Sequence, residues 1–231
     1  MCIYNSKLID SSLFLNVLPP WFKMSVAPYR HRDVYVEQST ESQSGDESQC
    51  VPRVFISPGK YIQGQGVFRS VGRYLSKILG SKSVLLLITE GGLARSGEAL
   101  CTSLELCHIS VQTILFNGEC CLSEVDRITT HAASSSHHCT DCVVGVGGGK
   151  LVDTAKCVAH RLGVAAVICP SLASNDAPCS ALSIMYSENG KYLGGEVFPL
   201  SPALVVVDTS VIAKSPVRYL VSGMGDAMAT W

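Results

Sequence analysis

The sequence carries little charge and has no surplus of either sign. Asp, Glu, Lys and Arg make up 16% of the 231 residues, and 18 basic side chains against 19 acidic ones leave a net charge of −1. Proteins that bind nucleic acids or anionic membranes attract them with an excess of Lys and Arg. Because this sequence has no excess of Lys and Arg, we predict that neither nucleic acid nor a membrane surface is a partner.

Long apolar runs and aromatic side chains are also scarce. No apolar run reaches the roughly 18 residues that a membrane-spanning helix needs. The sequence has only 6 Phe and 2 Trp, whereas its 20 Gly indicate many tight turns. Because 47% of the residues are hydrophobic, the chain can bury a core. Its length fits one domain, or one domain and a piece of a second.

The sequence lacks the features of a secretory signal. The weakly apolar segment 12–21 is interrupted by Asn16, ends in two prolines and offers no small-residue cleavage site. The 11 cysteines, an odd number, are interpreted as reduced thiols that pack as small apolar side chains. This predicts a reducing compartment, the cytoplasm. The mitochondrial matrix is the alternative, because residues 1–32 carry four basic side chains against one acid.

The amino-terminal part has no pattern of secondary structure. Residues 39–50 mix Ser, Gln and acidic residues without apolar periodicity. Such a stretch buries too little surface to offset the entropy lost on ordering. We therefore predict that residues 1–50 are a mostly disordered extension and that order begins near Val51.

After Val51, short β-rich runs alternate with helical segments of 10–15 residues. The predicted strands are residues 84–89, 111–116, 142–146 and 165–169. The predicted helices are residues 93–107, a helix that begins at Glu124 with Ser123 as its N-cap, and residues 150–161. This alternation indicates βαβ units. We predict an α/β fold with a parallel, Rossmann-like sheet and flanking helices.

The pattern changes after Pro170. A β-hairpin is predicted around Asn189-Gly190, followed by a buried strand over residues 204–207 that ends at Asp208. Ser215-Pro216 then starts a last helix. Because that helix runs to Trp231 with no capping residue, we interpret the end of the chain as a truncation.

A glycine-rich turn, Gly147-Gly148-Gly149-Lys150, joins a predicted buried strand to a predicted helix. Glycines allow the backbone to approach an anion, and the free N–H groups of a helix N-terminus bind phosphate. The spacing fits neither Gly-x-Gly-x-x-Gly nor the P-loop. It predicts a phosphate or pyrophosphate site without naming a cofactor, and an ordinary strand-to-helix turn is the alternative.

A second polar cluster lies in the segment from Pro170 to Ser180, directly after a predicted parallel strand. Ligand sites in open α/β sheets lie at the carboxyl ends of the strands. The segment carries several hydroxyl groups together with Asn175 and Asp176. An ordinary polar connection is the alternative.

The sequence does not decide the roles of two isolated carboxylates. Glu90 follows the first predicted strand and could either bind ribose hydroxyls or be a loop residue. Asp226 lies on the last predicted helix among small residues. Those small neighbours could serve helix packing or allow a metal or substrate to approach.

Four segments together carry a family resemblance. They are residues 57–64 (Ser-Pro-Gly-Lys-Tyr-Ile-Gln-Gly), 147–156, 174–183 and 225–231. They resemble the glycerol dehydrogenases of the iron-containing (group III) alcohol dehydrogenase family. The resemblance implies an NAD-binding α/β domain over residues 51–208. It also implies that residues 209–231 are the start of a truncated, all-helical metal-binding domain.

The resemblance also implies a set of cofactor contacts. Four residues would contact the NAD pyrophosphate and its neighbouring groups: Gly148, Gly149, Lys150 and Asp153. Five would line the path of the adenine and the nicotinamide: Ser171, Ser174, Ser180, Leu182 and Tyr186. Glu90 would bind the adenosine ribose in place of the usual Asp, and Ser171 replaces a usual Thr.

The implied reaction is the oxidation of glycerol or a related vicinal diol, giving dihydroxyacetone from glycerol. Asp176 would contact the polyol, and Asp226 would be the first ligand of a catalytic zinc, which lowers the pKa of the substrate hydroxyl. The family's two zinc-binding histidines lie beyond the position that matches Trp231, so we predict no activity for this chain alone. A non-catalytic NAD-binding module is the alternative, and a homo-oligomer is possible for the full-length family.

Overall fold

The computed structural model describes residues 56–134 and 140–229, together with strand β1 (Tyr4–Asn5) and strand β2 (Arg53–Val54). These two strands pair antiparallel and belong to a first compact unit, whereas the chain from Ile56 onward forms a second. Apart from Tyr4–Asn5, the predicted disordered extension over residues 1–50 lies outside the described residues.

A six-stranded parallel sheet forms the centre of the second unit. The strands of this unit are β3 (Lys60–Gly64), β4 (Ser83–Ile88), β5 (Ser110–Leu115), β6 (Cys142–Gly147), β7 (Ala165–Pro170), β8 (Leu182–Tyr186), β9 (Tyr192–Val197) and β10 (Leu204–Asp208). The sheet has the order β3-β10-β7-β6-β4-β5, and all its neighbours are parallel. The predicted parallel α/β fold is confirmed.

Strand β4 shows why the central strands form. Its residues from Val84 to Ile88 are all buried. Leu85 and Leu87 pack on one face of the sheet, and Leu86 and Ile88 pack on the other, because successive side chains of a strand point to opposite faces. A continuous apolar run therefore marks a strand that is covered on both sides.

Helices cover both faces of the sheet. The α-helices are α1 (Val71–Tyr74), α2 (Glu90–Gly92), α3 (Glu98–Glu105), α4 (Leu122–Ser134), α5 (Gly149–Leu162), α6 (Thr209–Ile212) and α7 (Val217–Ala229). A 3₁₀ turn precedes α1, a π-helical turn follows it, and another π-helical turn joins α2 to α3. No helix among the described residues is both long enough and apolar enough to cross a bilayer.

The prediction that Ser123 caps a helix was wrong. Helix α4 begins at Leu122, two residues before the predicted start at Glu124, and the Val125 N–H donates to the Cys121 carbonyl at 3.0 Å. Ser123 therefore lies within the first turn. Its hydroxyl is 3.2 Å from the Cys121 sulfur.

The described cysteines behave as small apolar residues. All eight are free thiols, and five of them are buried: Cys120, Cys121, Cys142, Cys157 and Cys169. Burial raises the pKa of the Cys142 thiol to about 12, so this side chain is uncharged at neutral pH. This packing agrees with the sequence-based interpretation.

The predicted hairpin is present. Strands β8 and β9 pair antiparallel, and Gly190 in the turn between them has a φ of 75°, which glycine adopts without strain. The last helix is also present as α7, immediately after Pro216. It belongs to the same compact unit as the sheet. The predicted domain boundary at residue 208 stays a prediction.

Candidate active site at the carboxyl edge of the sheet

The glycine-rich turn at residues 147–150 and the polar segment at residues 170–180 start side by side. Strands β6 and β7 are neighbours, and their last residues, Gly147 and Pro170, are register partners. The Ser171 N–H donates to the Gly147 carbonyl at 2.9 Å. The two predicted ligand-binding segments therefore share one edge, at the carboxyl ends of the strands, where parallel sheets bind ligands.

Gly148 and Gly149 of the turn lie close to side chains of the loop after β7. Gly148 has φ −90° and ψ −175°, an extended conformation open to any residue. A Cβ at Gly148 would lie 2.9 Å from the Leu172 Cδ1, and one at Gly149 would lie 2.9 Å from the Asn175 Nδ2. The loop after β7 thus packs directly on the turn.

The N-terminus of α5 is suited to an anion. Gly148 is its N-cap and forms no side-chain capping hydrogen bond. The first N–H groups of a helix have no acceptor within the helix, and the dipole makes this end positive. With 14 residues in α5, the turn can hold a phosphate group.

Lys150, in the first turn of α5, is exposed and forms an ion pair with Glu119. Solvent screens such a pair, so it contributes little to stability. A phosphate group could replace the Glu119 carboxylate at low cost. Lys150 therefore lies where the sequence predicts a cofactor contact, and it has a carboxylate as its present partner.

Asp153 lies inside the protein. Its Oδ1 is 2.9 Å from the Lys156 Nζ, and its Oδ2 accepts a hydrogen bond from the Ile184 N–H at 3.1 Å. Its carbonyl accepts another from the Ser183 hydroxyl at 2.9 Å. Burial raises the pKa of the Asp153 carboxyl, and the Lys156 ammonium opposes this in part. The carboxylate thus joins α5 to the hairpin.

Lys156 is a site residue to which the sequence analysis gave no role. Only 3% exposed, it donates to the carbonyls of Ala177 and Leu182 and to both oxygens of Ser180. One pattern in the sequence could have revealed the role of Lys156. Asp153 and Lys156 are opposite charges three positions apart in a helix whose neighbouring residues are apolar.

The two predicted catalytic residues come together. The Asp226 Oδ2 on α7 accepts a hydrogen bond from the Asp176 N–H at 3.0 Å. The Ser222 hydroxyl donates to the Ser174 carbonyl at 3.3 Å. A Cβ at Gly223 would lie only 2.2 Å from the Ala173 carbonyl oxygen, so α7 packs very closely on the loop.

The remaining predicted residues surround this edge. Glu90 is exposed at the start of α2, directly after β4, and β4 is a neighbour of β6. The Tyr186 N–H donates to the Cys120 carbonyl at 2.8 Å, which places Tyr186 next to the partner of Lys150. Ser171, Ser174, Ser180 and Leu182 are half-buried.

The described residues do not complete a metal site. Within residues 56–134 and 140–229, no three His, Cys, Asp or Glu side chains converge as ligands. Asp226 offers one carboxylate, whereas a catalytic zinc takes about three protein ligands. The residues present here therefore fit a nucleotide but not, by themselves, a catalytic metal.

Comparison with known proteins decides the family. Residues 58–209 match the model of the iron-containing alcohol dehydrogenases. The chain belongs to this family. A glycerol dehydrogenase of Pseudomonas putida is 40% identical over 179 residues, which cover 78% of this chain and 48% of that protein. A glycerol dehydrogenase of Thermotoga maritima is 41% identical over 176 residues, 76% of this chain and 46% of that protein.

The fold of these iron-containing alcohol dehydrogenases is shared as well. The crystal structure of glycerol dehydrogenase from Schizosaccharomyces pombe superposes with a TM-score of 0.71 at 36% identity, over 77% of this chain and 44% of that one. The resemblance found in the sequence is confirmed: the chain is a member of the iron-containing alcohol dehydrogenase family. The chain spans about half the length of the curated relatives that it matches.

Proposed function

We propose that this chain is the cofactor-binding part of an enzyme that oxidises glycerol, or a related vicinal diol, with NAD as the electron acceptor. One observation carries the cofactor assignment: the Gly148-Gly149 turn begins the 14-residue helix α5 at the carboxyl edge of the sheet, where the first N–H groups of the helix can bind a phosphate. The substrate class follows from relatives that are named glycerol dehydrogenases.

The NAD pyrophosphate would lie at the free N–H groups of the first turn of α5. Lys150 would exchange Glu119 for a phosphate oxygen, and Glu90 would accept hydrogen bonds from the ribose. Ser171, Ser174, Ser180, Leu182 and Tyr186 would line the rest of the dinucleotide. When bound, NAD supplies the acceptor for the two electrons that leave the carbinol carbon.

The polyol would bind where Asp176 and Asp226 meet. Carboxylate oxygens accept hydrogen bonds from substrate hydroxyls and so orient a diol. Asp226 would also offer one ligand to a catalytic zinc, as the family resemblance implies. Because the described residues bring no further ligands to Asp226, zinc stays a proposal that requires other residues.

Titration of the chain with NADH, followed by nucleotide fluorescence, tests the cofactor site. We expect saturable binding. Gly149→Val should weaken it by about tenfold or more, because the added side chain must displace Asn175 and the loop after β7 beside the proposed pyrophosphate site.

Gly163→Ala is the matched control. Gly163 caps the opposite end of α5 at φ 67°, with nothing within 4 Å of an added Cβ. The substitution should cost about 1 kcal/mol of stability through backbone strain but leave the NADH affinity unchanged. Absence of saturable binding by the wild-type chain, at millimolar NADH, would contradict the proposed cofactor. Equal losses in both variants would show that Gly149 acts only through stability.

A further inference from the structure

We infer that Lys156 is a positioning residue, whose buried ammonium group holds the segment Ala177–Leu182 in the conformation that receives the cofactor. The inference rests on the proposed NAD site, since Ser180 and Leu182 belong to the proposed cofactor path. Nothing in the comparisons or the family match assigns a role to this side chain.

Several oxygen atoms converge on the ammonium group of Lys156. Its Nζ lies 2.9 Å from the Ala177 carbonyl, 3.2 Å from the Ser180 hydroxyl and 3.4 Å from the Ser180 carbonyl, and it also donates to the Leu182 carbonyl. The Asp153 carboxylate approaches at 2.9 Å. One cation thus gathers oxygen atoms from both ends of a six-residue segment that enters strand β8.

Stability alone does not account for a buried charge at this position. Replacing a buried ion pair by apolar residues of similar size is often neutral or even stabilising. What an ammonium group adds is a compact positive charge with three N–H donors, which several carbonyl and hydroxyl oxygens can surround. An apolar side chain would fill the same volume without fixing the carbonyls of Ala177 and Leu182.

The same helix fixes both halves of the site. Its first residue, Gly149, packs on Asn175 in the loop after β7. Lys156 lies two turns further along the helix and binds the segment Ala177–Leu182. The start of the loop is held by the hydrogen bond from the Ser171 N–H to the Gly147 carbonyl. Helix α5 therefore sets the distance between the proposed pyrophosphate site and Ser180.

Arg161 provides a matched control on the same helix. It forms a partly buried ion pair with Glu196 of strand β9, and so it also joins α5 to the hairpin. Its Glu196 contact lies outside the segment Ala177–Leu182. A variant of Arg161 also removes a cation of α5, but one whose Glu196 partner lies on strand β9.

The test compares Lys156→Met and Arg161→Met in the full 231-residue chain, by NADH titration and by hydrogen exchange without ligand. Both are measured well below the unfolding temperature, where a purely structural role would leave the affinity of the folded protein unchanged. For Lys156→Met we expect NADH affinity to fall by about tenfold or more and exchange to accelerate over residues 177–182. For Arg161→Met we expect faster exchange over residues 192–197 and an unchanged NADH affinity.

A double variant covers the case in which Lys156→Met does not fold. Removing Lys156 alone leaves the Asp153 carboxylate buried without a counter-charge, which is strongly destabilising. Asp153→Asn combined with Lys156→Met removes both charges, and its comparison with Asp153→Asn alone isolates the contribution of Lys156.

Each outcome decides between the two proposals. NADH affinity that stays the same when Lys156 is replaced, in a wild-type chain that binds NADH, overturns the inference and leaves the proposed function standing. A wild-type chain that binds no NADH overturns the proposed function, and the inference falls with it. Weaker NADH binding together with faster exchange over residues 177–182, in the Lys156 variant only, supports the inference.

Discussion

At Asp153, two electrostatic effects oppose each other. Burial disfavours the charged carboxylate, whereas the Lys156 ammonium and the Ile184 N–H favour it. Burial is the larger effect, so the pKa of Asp153 lies above its ordinary value of 3.8. In the pH range directly above 3.8, this residue consequently holds more protons in the folded state than in the unfolded state.

The raised pKa gives a sign for the dependence of stability on pH. Because the folded state binds the additional proton, the contribution of Asp153 is greatest below its unfolded pKa and is lost as the pH rises through the folded pKa. Asp153→Asn lacks this titration. Urea unfolding of both proteins from pH 4 to pH 8 should therefore show the wild type losing stability relative to the variant as the pH rises. A relative loss on acidification would contradict the assignment.

Single residues differ in how far the sequence predicts them. Gly148 and Gly149 could be identified because their position between an apolar strand and a helix start is visible locally. The contacts of Asp153 and Lys156 could not, because their partners lie about 20 to 30 positions later in the chain. Those partners depend on how the hairpin packs on α5.

Helix α7 packs against the loop after β7 through a small contact area. None of its residues is buried, yet a Cβ at Gly223 would lie 2.2 Å from the Ala173 carbonyl oxygen. Five of its large apolar side chains are exposed: Val217, Leu220, Val221, Met224 and Met228. The helix therefore holds Asp226 beside Asp176 through the close approach at Gly223 and a few hydrogen bonds.

Two glycines of this helix form a matched pair for a test of docking. Gly223→Ala forces the helix away from a backbone atom and should cost about 1–3 kcal/mol, with faster hydrogen exchange over residues 217–229. Gly225 has nothing within 4 Å of an added Cβ. Gly225→Ala should instead stabilise the helix by about 0.5–1 kcal/mol. The contact at Gly223 would be unimportant if both variants had the same exchange rates as the wild type.

Among the elements, the central strands and the edge strand β5 could be predicted, whereas the other edge strand, β3, could not. Strands β4 and β6 are buried on both faces, which leaves continuous apolar runs in the sequence. Strand β3 has an exposed, alternating pattern and pairs with β10, about 140 residues later. The start of α4 was misplaced by two residues because a serine in its first turn resembles a capping residue.

At the scale of the whole molecule, binding and turnover depend on different sets of residues. The glycine turn, the loop after β7 and Lys156 lie within one compact unit and could bind a nucleotide without further help. Asp176 and Asp226 meet at the same edge, but the described residues supply no second or third metal ligand there. We therefore expect the described residues to be sufficient for nucleotide binding but not for turnover of the substrate.

This separation can be measured with the 231-residue chain and a full-length relative, the glycerol dehydrogenase of Pseudomonas putida, as the positive control. With glycerol, NAD and added Zn²⁺, the relative should produce NADH, whereas the chain should bind NADH but produce none above background. Activation of a substrate hydroxyl by a metal requires a complete ligand set, and Asp226 alone is one ligand. Clear turnover by the chain would contradict this prediction and show that the residues of this chain suffice for catalysis. Binding without turnover would mean that the cofactor half of the reaction is already formed within these residues.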